Sequence, residues 1–171
     1  MNCFINRGGI MAELLFAGLT YEAVVRKYAQ TVTGVCVMRL QNYADAEDCF
    51  QNTFLRLLSA SPCFRDEEHL KSWLIRVAIH ECYNYIKKNR KVLYIHDLTN
   101  EPIYDNEDKN DISWAMMKLD TKYREILYLH YCEKYKINEI AEILGRKPNT
   151  VKVMLKRGRE KLKKIYAGEK T

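Results

Sequence analysis

Five basic side chains fall within a ten-residue stretch near the C-terminal end of the chain: Lys152, Lys156, Arg157, Arg159 and Lys161. Val151 and Leu155 are one helical turn apart and are followed by Leu162, so these apolar residues can share one face of a helix. The basic side chains then point elsewhere. Because ammonium and guanidinium groups bind phosphate oxygens and guanine edges, this helix could contact a nucleic acid.

A shorter helix precedes the basic one and would position it. Ile140, Ala141 and Leu144 give that helix an apolar face. Gly145 suits the left-handed end of a helix, and Pro148 suits the first position of the next one. Two helices joined by a tight turn, with the second one basic, are typical of a protein that reads the DNA major groove. An ordinary helical hairpin with a solvated basic face is the alternative.

The chain of 171 residues is 47% hydrophobic and 29% charged, which is enough for one core or two small ones. Its net charge of +6 is unevenly distributed. Residues 146–170 hold ten bases and two acids, a net of 10 − 2 = +8, and residues 71–91 hold six bases and one acid, a net of 6 − 1 = +5. Residues 97–111 hold one base and six acids, a net of 1 − 6 = −5. Two basic patches separated by an acidic strip predict two contacts with a polyanion.

Several classes of protein are disfavoured by what the sequence lacks. No apolar run approaches the ~20 residues of a membrane span, and Glu13 interrupts the N-terminal apolar run, which argues against a signal peptide. Met11 could be the natural start, with residues 1–10 a disordered or mis-annotated extension. The six widely spaced cysteines are predicted to be reduced core residues of a cytoplasmic protein, without the ligand spacing of a metal site. The sequence shows no paired carboxylates, Ser-His-Asp order or phosphate-binding glycine loop, so we predict neither an enzyme nor a cofactor.

The hydrophobic periodicity predicts an all-α protein of two small helical domains. Residues 1–15 are expected to be an N-terminal extension and residues 16–92 a first domain. Its helices are predicted at 21–40, 44–58 and 67–88, and the second should bury Ala46, Phe50, Phe54, Leu57 and Leu58. Residues 93–110 read as a flexible acidic linker. Residues 111–171 form the second domain, with helices at 112–119 and 121–131 before the helix-turn-helix.

The order of four segments resembles a bacterial sigma factor of the extracytoplasmic-function class. They are ADAEDCFQNTFLRLL at 44–58, LKSWLIRVAIHECYNYIKK at 70–88, LDTKYREILYLHY at 119–131 and EIAEILGRKPNTVK at 139–152. Any one of these motifs is weak, whereas four in order, split by a linker, are specific. The resemblance implies a region 2 domain that binds core RNA polymerase and the minus-10 promoter element, and a region 4 domain that binds the minus-35 element.

The resemblance also implies which residues make each contact. The helix at 44–58 would dock on the polymerase clamp through Glu47, Asp48, Gln51, Asn52 and Leu55. The minus-10 element would be bound by Phe64, Lys71, Arg76, His80, Asn84, Lys87 and Lys88. The minus-35 element would be bound by Thr150, Lys152, Val153, Lys156, Arg157 and Arg159. The family usually has Asn and Asp at the positions of His80 and Asn84, and a buried core histidine is the competing interpretation of His80.

Four further departures from the family fall in the second domain. Lys136 and Lys147 replace the usual capping residues before the two helices of the motif, and Gly158 replaces an alanine at a cost of about 1 kcal/mol in a helix interior. Met154 stands where many members of the family have an arginine. The resemblance implies an anti-sigma partner besides core polymerase and promoter DNA, and no membrane insertion. A stand-alone helix-turn-helix regulator is the main alternative function. A sigma-like module that binds core but not promoters is another.

Overall fold

The computed structural model describes residues 5–6, 13–96 and 112–168, with side chains described for 16–89 and 112–168. Seven helices and three very short strands account for most of these residues. The strands are β1 (Ile5–Asn6), β2 (Glu13–Phe16) and β3 (Leu19–Thr20). The helices are α1 (Tyr21–Leu40), α2 (Tyr43–Ala60), α3 (Glu67–His96), α4 (Ile112–Met117), α5 (Thr121–Tyr131), α6 (Ile137–Leu144) and α7 (Pro148–Tyr166). The predicted all-α fold is confirmed.

Helices α1, α2 and α3 pack against one another and enclose the core of the first domain. Leu57, Leu70 and Leu74 are completely buried there, and each contributes roughly 1.5–3 kcal/mol through removal from water. Side-chain caps begin two of the helices. Thr20 Oγ1 accepts from the Ala23 N–H and Asn42 Oδ1 accepts from the Asp45 N–H, both at 3.2 Å. These caps fix where α1 and α2 start.

The short strands lie ahead of α1. β2 pairs antiparallel with both β1 and β3, and Phe16 at the end of β2 is buried against Tyr21 and Phe64. Ile5 and Asn6 are thus paired backbone rather than disordered extension; the rest of residues 1–10 and Met11 lie outside the described residues. Strands of two to four residues are too short to show an alternating pattern of apolar and polar residues in the sequence.

The second domain is built on α5, α6 and α7. Val151 and Leu155 of α7 are buried, Gly145 takes a left-handed φ of 60° after α6, and α7 begins at Pro148. Gly158 has a packing reason, because a Cβ there would lie 3.3 Å from Leu127 and 3.4 Å from Tyr123. The absence of a Cβ at Gly158 lowers helix stability but permits close contact of α7 with α5.

Several sequence expectations need correction. The third helix continues to His96, eight residues past the predicted 88 and into the predicted linker; residues 97–111 lie outside the described part. Leu58, expected in the core, is 40% exposed. In the short α6, Ile143 is buried and Leu144 only partly so. A helix face only two turns long has a poorly defined edge, so periodicity could not choose between them.

The cysteine prediction holds for Cys36, Cys49 and Cys82, which are free and buried on α1, α2 and α3. It is wrong for Cys132, which is free but exposed after α5. It is also wrong for Cys63, which is exposed in the α2–α3 loop and disulfide-bonded. Both residues lie in loops, where helical periodicity gives no information on burial. Cys3 lies outside the described residues.

The two domains are in contact. Helix α1 packs against α5, and α3 packs against α6. The side chain of Arg124 on α5 is 1% exposed and donates from Nε to the Met38 carbonyl of α1 at 2.6 Å. Arg39 of α1 forms an ion pair with Glu125 of α5. The loosely tethered arrangement expected from the linker is thus, in this structure, a docked one.

Candidate nucleic-acid and polymerase interfaces

The outer face of α7 is open to solvent. All six residues predicted to bind the minus-35 element are exposed on it: Thr150, Lys152, Val153, Lys156, Arg157 and Arg159. Helix α7 packs against α4, α5 and α6, which hold its other face through Val151, Leu155 and Gly158. Lys156 lies 4.0 Å from Glu160, an exposed contact of small energetic weight. The lysine and arginine side chains on this face of α7 are therefore available to a polyanion.

The starts of α6 and α7 lack the usual side-chain acceptors. Neither Lys136 nor Lys147 caps its helix with its side chain, as expected from the sequence. At α6 the Glu139 carboxylate compensates by accepting from the Lys136 backbone N–H at 2.6 Å. This acid, three residues into the helix, is the sequence signal for that bond. Asn149 is also exposed on the first turn of α7, the turn that enters the groove in proteins of this motif.

The outer face of α3 carries most of the residues predicted to bind the minus-10 element. Arg76, His80, Lys87 and Lys88 are exposed, and Asn84 is partly buried beside them. The His80 side chain is 62% exposed, so its interpretation as a core histidine is wrong. Asn84 Nδ2 donates to His80 Nδ1 at 3.1 Å. The two departures from the family pattern on α3 thus hydrogen-bond to each other across one helical turn.

Lys71 does not join the others on that face. Its Nζ lies 2.7 Å from a carboxylate oxygen of Glu133 in the second domain and 5.3 Å from the centroid of the Tyr135 ring. Ser72 next to it lies within 3.3 Å of the Tyr135 hydroxyl. Burial raises the pKa of that hydroxyl above its usual value, so it stays protonated at neutral pH. In the docked arrangement Lys71 therefore contacts protein.

Phe64 lies in the loop before α3 and packs among aromatic rings. Its ring centroid is 5.6 Å from Trp73, 5.5 Å from His69 and 6.5 Å from Phe16. Trp73 belongs to the same partly buried cluster and is not an open stacking platform, as predicted. Asp66 Oδ1 accepts from the His69 N–H at 2.7 Å and caps the start of α3. This bond fixes the end of the loop that holds Phe64.

The outer face of α2 presents acids, amides and an apolar side chain together. Glu47, Asp48, Gln51 and Asn52 are exposed, and Leu55 is 58% exposed. Exposed Leu58 extends the same surface by one turn, a residue that sequence reasoning assigned to the core. An exposed leucine pair beside acids is unusual for a helix that only contacts water, and favours a protein partner.

Asp45 belongs to the acidic cluster but not to this open surface. Its carboxylate accepts from the Tyr85 hydroxyl of α3 at 2.6 Å. That hydrogen bond, with burial, raises the pKa of Tyr85 to about 12. Asp45 therefore joins α2 to α3 and stabilises the α2 N-terminus, whereas Asp48 one turn later has no such partner among the described residues.

The fold and these surfaces define a two-domain, DNA-binding transcription protein with one helix-turn-helix. The Sigma-70 region 2 profile matches residues 24–92, and the Sigma-70 region 4 profile matches residues 110–162. The chain is 31% identical over 122 residues to the RNA polymerase sigma factor SigV of Bacillus subtilis, covering 69% of this chain and 74% of the relative. The chain therefore belongs to the sigma-70 family, as a promoter-recognising sigma factor of the extracytoplasmic-function class.

Two further similarities agree with that assignment. The extracytoplasmic-function sigma factor SigW of Bacillus subtilis is 28% identical over 163 residues, covering 84% of this chain and 87% of the relative. The sigma factor RpoE from Bartonella quintana, solved in complex with the anti-sigma factor NepR, matches with a TM-score of 0.71 at 19% identity, covering 88% of this chain and 98% of that one. None of the helices in the described part of the chain is long and apolar enough to span a membrane.

Proposed function

We propose that the three open helix faces divide the work of initiation, with α2 binding core polymerase, α3 the minus-10 element and α7 the minus-35 element. The observation that carries this division is the contrast in surface chemistry. The α2 face is acidic and apolar, whereas the α3 and α7 faces are basic. A basic face suits phosphates, and a mixed acidic and apolar face suits a protein.

On α7, Thr150 and Arg157 would contact phosphates and fix the register of the helix on the duplex. Lys152 and Lys156 could reach guanine edges, and Val153, 40% exposed, could meet a thymine methyl group. Arg159 would add a phosphate contact. Asn149 on the first turn is a further candidate, since an amide can pair with adenine.

On α3, Arg76, Lys87 and Lys88 would bind the phosphates of a separated DNA strand. His80 and Asn84 would offer hydrogen-bonding groups next to that strand. Phe64 would form one wall of a base pocket in the α2–α3 loop. Lys71 can take part only after it leaves Glu133. The catalysis of RNA synthesis would belong to the core subunits.

On α2, Glu47, Asp48, Gln51 and Asn52 would meet polar and basic groups of the polymerase clamp, and Leu55 would be buried at the centre of the contact. An anti-sigma factor that covers this face is the expected regulator, and the cytoplasm is the expected compartment for binding both polymerase and DNA.

The test is reconstituted transcription with bacterial core enzyme and the full chain, with start sites mapped by sequencing the transcripts made on genomic DNA. We expect initiation that depends on this protein, at starts preceded by two shared elements. A stand-alone regulator would bind duplex DNA without core. A sigma-like module without promoter recognition would bind core but produce no defined starts.

A further inference from the structure

We propose that Arg146, in the turn between α6 and α7, binds a phosphate of the minus-35 DNA, and that Met154 of α7 holds its guanidinium in position for that contact. This role rests on the proposed function, in which the outer face of α7 binds the minus-35 element, and it adds two residues to that face. Met154 is one of the departures from the family pattern, and the contact gives that departure a function. The arginine on this edge of the helix comes from the preceding turn.

Both ends of the Arg146 residue are held in place. Its backbone N–H donates to the Ala141 carbonyl at 2.8 Å, directly after Gly145 has turned the chain with a φ of 60°. Its Nη1 donates to Met154 Sδ at 3.3 Å, eight residues further along the chain. A guanidinium whose position is set before DNA arrives loses less conformational entropy on binding than a freely rotating one.

The contact with Met154 leaves the positive charge of Arg146 without a counter-charge. A thioether sulfur is neutral and only a weak acceptor, and a guanidinium has five N–H donors, so most of them stay unused. Arg146 is exposed, and no carboxylate pairs with it among the residues that the structure describes. Lys156, by contrast, has a Glu160 carboxylate 4.0 Å away. Arg146 therefore keeps both its charge and its donors for an anion.

Met154 lies on an edge of α7 that is otherwise polar. Helical spacing makes it a neighbour of Thr150, four residues earlier, and of Arg157, three residues later. Both neighbours are exposed, and both are proposed above to contact phosphates. Met154 itself is partly buried and packs against the core of the domain. The guanidinium of Arg146 therefore lies along the edge of the helix where phosphate contacts are expected.

A phosphate is the DNA group that fits this arrangement. A guanidinium can donate two parallel N–H bonds to the oxygens of one phosphate. Phosphate contacts fix the register of a helix on the duplex and carry no direct sequence information. Arg146 should therefore contribute equally on every minus-35 sequence, in contrast to Lys152 and Lys156, which are proposed to reach guanine edges.

The test measures binding of the full chain, assembled with bacterial core polymerase, to promoter duplexes by fluorescence anisotropy at a series of salt concentrations. Each phosphate contact contributes about 0.9 to the slope of log K against log salt. Arg146→Ala should therefore reduce the magnitude of that slope by about 0.9 and weaken binding about 8-fold at 0.1 M salt. The matched control is Arg26→Ala, which removes an exposed arginine of α1 that pairs with Glu22. The control should leave the slope and the affinity unchanged.

Exchanging the two side chains distinguishes a DNA contact from a purely structural role in the turn. The double variant Arg146→Met with Met154→Arg places a guanidinium on the same edge of α7 from the helix itself. It should restore the salt slope and most of the affinity that Arg146→Ala loses. Met154→Leu keeps an apolar side chain but removes the sulfur that orients Arg146. It should weaken binding about 2- to 5-fold, the cost of ordering one long side chain, without changing the slope.

Circular dichroism establishes that each variant is folded. A folded Arg146→Ala variant that keeps the original salt slope would overturn the phosphate contact, whether or not its affinity falls, because a structural role does not change the number of phosphates bound. An exchange variant that restores neither slope nor affinity would overturn it as well. If Lys152→Ala still weakens binding in those cases, the proposed function stands without this contact. Failure of the unaltered chain with core to bind any promoter would instead refute the proposed function.

Discussion

The two helices that we propose to bind the promoter, α3 and α7, differ in how many of their polar and charged side chains already contact other residues of the protein. On α7, every residue predicted to contact DNA is exposed, and its buried face packs within its own domain. On α3, Lys71 is paired with Glu133 and His80 is hydrogen-bonded to Asn84, while Arg76, Lys87 and Lys88 remain exposed. A basic residue is available to DNA only where the rest of the protein leaves it unpaired. Under the proposed function, helix α7 can bind DNA as it stands, whereas Lys71 of α3 is free for DNA only when its contact with Glu133 is broken.

Two neighbouring acids on α2 show the same difference between a side chain bonded within the protein and one exposed to solvent. Asp45 and Asp48 both lie near the helix N-terminus, where an anion is favourable. Asp45 is bonded to Tyr85 and joins two helices, whereas Asp48 is exposed. Charge alone does not separate the two roles, because the partner of each acid comes from another helix.

The largest effect is expected at the most occupied cation. Arg124→Leu removes the donor to the Met38 and Met117 carbonyls, and the Met117 carbonyl keeps only its hydrogen bond from Gln41. We expect a loss of about 3–5 kcal/mol in the free energy of unfolding, measured by urea denaturation, because two hydrogen bonds from a charged group are lost at about 1.5–3 kcal/mol each. Arg157→Leu, on the exposed face of α7, should change that stability little. Equal losses of unfolding free energy in both variants would contradict the distinction between basic side chains that the protein already binds and those that are exposed.

The next effect concerns two exposed lysines on the outer face of α7. Lys152→Ala and Lys156→Ala should each weaken promoter-dependent initiation by ~1–3 kcal/mol, about 5- to 150-fold, without altering the melting temperature. Run-off transcription on a series of minus-35 variants measures the loss. A uniform loss on every promoter would show that the lysines touch phosphates and not bases.

The two neighbouring acids of α2, Asp45 and Asp48, should give smaller effects, one on stability and the other on polymerase binding. Asp48→Ala should lower affinity for core polymerase by about 1–2 kcal/mol while leaving the fold intact, because the residue is exposed. Asp45→Ala should lower the free energy of unfolding by about 1–2 kcal/mol through loss of the Tyr85 bond. Core binding by surface plasmon resonance and thermal denaturation separate the two. Unchanged core affinity for Asp48→Ala would remove the assignment of α2 to the clamp.

The smallest effect is a pH dependence at the α1–α3 contact. Glu67 pairs with Lys27 and accepts from the Tyr28 hydroxyl at 3.1 Å, and these bonds lower the pKa of its carboxyl. Since the folded pKa lies below the unfolded value, the contact stabilises the fold above the unfolded pKa and is lost as pH falls through the folded pKa. Glu67→Gln should therefore reduce the difference in melting temperature between pH 7 and pH 3. An identical difference in both proteins would show that the exposed contact contributes nothing.

The sequence predicted much of the local structure because helix signals are local. The bounds of α1 and α5 were predicted to the residue, and Gly145 and Pro148 marked the turn of the motif. Burial at helix edges was less secure, as at Leu58, where periodicity assigns a stripe but not its width. His80 and Lys71 could not be placed from the sequence, because the former depends on a neighbouring side chain and the latter on a residue 62 positions away.

The sequence by itself determined the helices, the uneven charge and the order of motifs that the family shares, because periodicity, capping and composition are properties of short segments. Tertiary structure decided which charged groups are occupied. Glu133 and Arg124 carry no signal in their own segments, and their roles arise only where the second domain meets α1 and α3. Contacts between residues distant in the chain depend on packing geometry, which no local pattern specifies.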